Sequence, residues 1–186
     1  MTTTTETLVA AVVGVLTTKT NGAYPTQAGA RVYEPRDWPT WDNQYPVLLI
    51  SAPRERKESL GRNAPKFTVV TTVRVSARAS SAASADDGNA GVVQATLWAM
   101  QRQIEVAIIN AYTVQLPIQQ ILSVESQLTF DSSGEKHLGE LLIDLDLEFY
   151  QGTNDFAPIP SAPLELVGVT FTDFPPTGAT IPLPQS

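Results

Sequence analysis

The sharpest pattern in the chain lies near residue 145. Leu141, Ile143, Leu145, Leu147 and Phe149 alternate there with Leu142, Asp144, Asp146, Glu148 and Tyr150. A period of two predicts a strand with one buried and one wet face. The strand is expected over Lys136 to Tyr150, and Ile121 to Phe130, joined to it through Asp131-Ser132-Ser133-Gly134, reads as its hairpin partner. The other strong signal is helical. Val93, Leu97, Met100, Ile104 and Ile108 recur at spacings of four, three, four and four, which predicts one long helix over about 89–111. Met100 and Trp98 are read as core residues of that helix rather than as a cofactor box.

Weaker patterns complete the layout. Leu8, Val12, Val15 and Leu16 share one face of an N-terminal helix, which Thr4 or Thr5 can cap. Pro46 opens a continuous apolar run, Val47 to Ser51, with the character of a buried strand. From Phe67 to Ala79, Phe67, Val69, Thr71, Val73 and Val75 face one way, while Thr68, Val70, Thr72, Arg74, Ser76 and Arg78 face the other. The order of helix, strands, helix and hairpin predicts an α+β domain over 1–150 with a mostly antiparallel sheet. The long helix and the N-terminal helix pack on that sheet. Beyond Tyr150 the composition changes: residues 151–186 hold seven of the fourteen prolines and no lysine or arginine. This segment reads as an extended C-terminal arm whose one strand, Leu164 to Thr172, needs a borrowed sheet edge.

Composition then removes whole classes of function. The 186 residues contain no cysteine and one histidine, His137, which excludes disulfide scaffolds, zinc ribbons and cysteine nucleophiles. A net charge of -7 argues against a general nucleic-acid binder. The apolar stretch Leu8 to Leu16 is far shorter than the roughly 20 residues of a membrane span, and no basic flank makes it a signal peptide. No Gly-x-Ser-x-Gly elbow or phosphate loop is present. No cofactor is expected.

Four features remain as candidates. Asp144, Asp146 and Glu148 share one strand face about 7 Å apart, either a solvated or channel-lining acidic face or, with other oxygen ligands, a cation site. Arg54, Arg56, Lys57, Arg62 and Lys66 place five of the twelve basic residues between Ala52 and Lys66, against Glu55 and Glu58. That segment is expected to be a loop, either merely solvated or a basic finger that docks on an acidic partner. Trp38 and Trp41 flank Pro39 and read as packing aromatics rather than a sugar platform. In the arm, Val167, Val169 and Phe171 present alternating side chains suited to strand addition, with a loose tail as the alternative.

The layout as a whole resembles the tail terminator proteins of long-tailed bacteriophages. The resemblance runs through the N-terminal helix and the stretch from Tyr33-Glu34-Pro35-Arg36 to Tyr45-Pro46-Val47-Leu48-Leu49-Ile50. It continues through the charged segment Arg54 to Arg62, the strand Phe67 to Arg78, the single long helix and the Leu141 to Tyr150 strand. It covers about 5–150 and leaves the arm unmatched. It implies a non-enzymatic virion subunit at the head-proximal end of the tail, made in the host cytoplasm. Such subunits form a homohexameric ring on the tail tube, stop its polymerisation and present the surface for head joining. The implied partners are the chain itself, the tail tube protein and a head-completion or connector protein, with DNA passing through unbound and no membrane. A head-completion protein of the same particle, or a carboxylate-metal hydrolase built on Asp144, Asp146 and Glu148, are the alternatives.

Overall fold

The computed structural model describes residues 2–35, 44–62, 65–82, 89–131, 136–157, 167–168 and 180–181. Trp38 and Trp41 lie outside them, as do Val169 and Phe171.

The chain is α+β. Five strands form one sheet: β1 (Val32–Tyr33), β2 (Val47–Ser59), β3 (Phe67–Ala82), β4 (Gln120–Asp131) and β5 (Lys136–Gln151). Their order is β1-β2-β3-β5-β4, and only the β1–β2 pair is parallel. The centre of the sheet is the β3–β5 pair, in register from Phe67↔Gln151 to Ala82↔Lys136. Each outer neighbour carries one irregularity, between Ser51 and Arg54 in β2 and between Ile121 and Ser123 in β4.

Two helices cover one face. In α1 (Thr5–Thr17) the Thr4 hydroxyl accepts from the Thr7 amide and the Thr7 hydroxyl accepts from the Thr4 amide, a reciprocal cap that satisfies two orphan donors. Its Leu8, Val12 and Leu16 are fully buried. In α2 (Asn89–Ile109) the predicted stripe Val93, Leu97, Met100, Ile104 and Ile108 is buried against Val73, Val75, Leu141, Ile143, Leu145 and Phe149. Each such side chain stabilises the fold by roughly 1.5–3 kcal/mol. The short helix α3 (Tyr112–Gln115) follows and adds Val114 to the core. Among the described residues no helix is long and apolar enough to cross a membrane.

Two expectations are corrected. Trp98 is not core: it stands off the buried stripe and is 56% exposed, whereas Met100 is fully buried. The segment from Ala52 is not a loop, because β2 runs on to Ser59 and pairs with β3 as far as Ser59↔Phe67. Backbone hydrogen bonding to β3 holds this stretch extended although its side chains are charged. Of the expected arm strand Leu164 to Thr172, only Val167 and Gly168 lie within the described residues. Within the separate unit Phe156–Ser186, β6 (Val167–Gly168) pairs antiparallel with β7 (Thr180–Ile181), which satisfies backbone groups of both segments.

Candidate interaction surface on the polar sheet face

The strand register decides which side chains share the face that the helices leave open. On β3 these include Thr72, Arg74, Ser76 and Arg78; on β5, Glu140, Leu142, Asp144, Asp146 and Glu148. On β2 they are Arg54, Arg56 and Glu58, opposite Thr72, Val70 and Thr68. On β4, Ser123 stands opposite Asp146 and Glu125 opposite Asp144. The arginines therefore stand in columns on β2 and β3, and the acids concentrate on β5 and β4.

The acids are not a bare solvated row, as the sequence alone suggests. Arg74 donates two parallel bonds to Asp144, Nε to Oδ1 and Nη2 to Oδ2, each 2.7 Å long. This forked geometry is the strongest form of such a contact, and hydrogen bonding to Asp144 raises the pKa of Arg74 above its ordinary value. Asp146 accepts from the Thr72 hydroxyl at 2.5 Å and the Ser123 hydroxyl at 2.9 Å, with Arg54 at 3.6 Å. The Thr72 bond is the main reason its carboxyl lies below the ordinary 3.8, and burial opposes it. For Glu140, burial alone would push the pKa up. The Ser76 hydroxyl at 2.5 Å and Arg78 at 2.9 Å outweigh it and hold the carboxyl below 4.5. Glu148 accepts from Gln120 at 2.6 Å.

The five predicted basic residues do not act as one group. Arg54 and Arg56 lie on the polar face, where they share a shallow concavity of about 400 Å³ with Glu58, Leu122, Asp146 and Glu148. Lys57 lies on the helix side, opposite Val69. There it bonds Gln151 at 2.8 Å and Glu55 at 3.2 Å, while Glu55 also accepts from Thr5 at the start of α1. That Thr5 bond, with Lys57, lowers the Glu55 carboxyl below 4.5 against the effect of burial. Lys57 is thus part of the joint between α1, β2 and β5. Arg62 and Lys66 are exposed at the turn between β2 and β3, which the Leu60 amide closes by donating to the Lys66 carbonyl at 2.9 Å.

His137 stands on β5 opposite Ser81, remote in register from Asp144, Asp146 and Glu148. Among the described residues no three His, Asp or Glu side chains converge as a metal-holding group. The polar partners Arg74, Arg78, Thr72, Ser123 and Glu140 were not singled out by sequence. Arg74 and Asp144 are 70 positions apart, and only the β3–β5 register joins them. Compared with known proteins, the chain matches no family model, and no curated protein matches it.

Proposed function

We propose that this chain is a structural assembly protein of a long-tailed bacteriophage. It forms a ring on the end of the tail tube, stops tube growth and offers the surface to which the filled head is joined. The observation that carries this reading is the division of one open sheet face into an arginine side on β2 and β3 and an acidic side on β5 and β4. A cyclic assembly needs two different patches that fit each other, and a face split by charge supplies such a pair. The same face suits a channel for DNA. Its arginines, Arg54, Arg56, Arg74 and Arg78, are outnumbered by Glu58, Glu125, Glu140, Asp144, Asp146 and Glu148. Because DNA affinity grows with each cation that neutralises a phosphate, cations already paired with carboxylates give DNA little to hold. The role is positional rather than catalytic.

The test is electron microscopy of the purified full chain, alone and added to polymerising tail-tube subunits. Rings on tube ends and shortened tubes are the expected result. Rings that bind heads but leave tube length unchanged would reassign the chain to head completion. Phosphoester hydrolysis that requires magnesium and is lost in Asp146→Asn would replace the reading with the hydrolase.

A further inference from the structure

The sheet ends in two open edges of opposite character. β1 pairs only with Leu48 and Leu49, so from Ser51 to Ser59 the outer side of β2 has no strand neighbour among the described residues. This stretch and its turn carry Arg54, Arg56, Lys57, Arg62 and Lys66 against Glu55 and Glu58. At the other end β4 has no strand neighbour on its outer side along its 12 residues, among the described residues. It has no cation, carries Glu125 and Asp131, and leaves Leu122, Val124 and Phe130 at 47%, 37% and 50% exposure. A long edge strand with exposed apolar side chains and no lysine or proline templates pairing unless something covers it.

We infer that β4 of one copy pairs with the second half of β2 of the next copy, so that one sheet continues from subunit to subunit. This inference rests on the ring reading above and names the contact that would build the ring. The topology sets the direction of the junction. β2 is antiparallel to β3, β3 to β5 and β5 to β4, so β2 and β4 run in opposite directions. Rotating one copy about an axis along the strands therefore places β4 beside the next β2 as an antiparallel pair. The helices stay on one side of the continued sheet, and the charged faces join on the other. Glu125 and the acids of β5 then approach Arg54 and Arg56 of the neighbour. Main-chain bonds supply affinity and the two charge columns supply register and choice of partner. The proline-rich arm is the poorer occupant of the β4 edge: residues 151–186 contain Asp155, Glu165 and Asp173 and no cation, so like charge opposes that pairing.

The absence of native cysteine makes the test clean. Cysteine is placed at Ser123, Glu125 or Gln127 on β4 and at Arg54 or Arg56 on β2 of the full chain, singly and in pairs. The purified proteins are oxidised and run without reductant, and rings are scored by microscopy. The expected result is a covalent ladder from at least one paired variant. The matching single variants should give covalent dimers only when mixed, and the yield should fall severalfold from about 0.01 M to about 1 M salt. A β4 single variant that cross-links to itself would mean a symmetric edge contact and overturn the inference. Rings without any β2–β4 cross-link would overturn it and leave the ring reading standing. A ladder that never closes into rings would support the edge pairing and sink the ring reading. Neither ladder nor rings would remove both.

Discussion

Gly139 of β5 lies directly beneath Val93 of α2: a Cβ at 139 would come within 2.6 Å of Val93 Cγ1 and 2.7 Å of Leu97 Cδ1. Val93 and Leu97 of the long helix can come this close to β5 because the strand has no side chain at 139. Gly139→Ala is expected to force the helix or its side chains aside and to cost about 1–3 kcal/mol. Gly139→Val should cost more. Chemical denaturation with an unchanged m-value checks both, and an alanine variant as stable as the parent would show that α2 shifts freely.

Acid should loosen the fold through three named carboxylates. Glu55, Glu140 and Asp146 are held below their ordinary values by hydroxyls and cations. Their ionised forms therefore stabilise the native state. That contribution is complete above the unfolded values of 4.5 and 3.8 and is lost as pH falls through the lower folded values. Melting temperature should be nearly level from neutrality to about pH 5 as far as these groups are concerned, then fall. Thr72→Val removes the main support of Asp146 and should narrow the gap between the melting temperatures at neutral and acid pH.

Arg54 and Lys57 should respond differently to charge reversal. Arg54→Glu with Arg56→Glu changes two exposed polar-face cations, whose surface pairs contribute only about 0.2–1 kcal/mol each. Melting should hardly move, while the role proposed above predicts that tube termination fails and overlong tubes appear. Lys57→Glu breaks the joint with Gln151 and Glu55 and places two acids side by side, so thermal stability should drop. Equal melting temperatures for the two variants would show that Lys57 is not part of that joint.

Trp98→Phe should change stability by less than about 0.5 kcal/mol, as for other surface substitutions. The fluorescence that the substitution removes should be the fraction most accessible to iodide. An iodide-resistant fraction lost instead would place Trp98 against a partner or in the core.

Periodic burial is a local property, and that is why so much of the framework could be read from sequence. The stripe Val93, Leu97, Met100, Ile104, Ile108 and the alternation Leu141 to Phe149 both mark side chains that are buried. Trp98 departs from the core because its position follows Leu97 by one residue and so points about 100° away on a helix. β2 beyond Ala52 departs from its pattern for another reason. Its charges mimic a loop, and its extended form comes from pairing with β3, which no pattern within the strand records. The polar face was legible as acids and as bases, but not as pairs. Whether Asp144 meets water or Arg74 depends on how two distant strands align.

The irregularity in β2 carries a final consequence. Between Ser51↔Arg74 and Arg54↔Thr72 the strand spends one residue more than its partner, with Ala52 and Pro53 together opposite Val73. Side chains alternate sides at every step, so this extra residue inverts the phase of everything that follows. Paired without the bulge, the same residues would set Pro53 opposite Thr72 and Arg54 opposite Thr71, which would turn Arg54 and Arg56 toward α1 and send Glu55 and Lys57 to the open face. No charge would be gained or lost from the segment, yet the arginine column would vanish. Whether β2 absorbs one residue as a bulge thus sets which charges this surface displays.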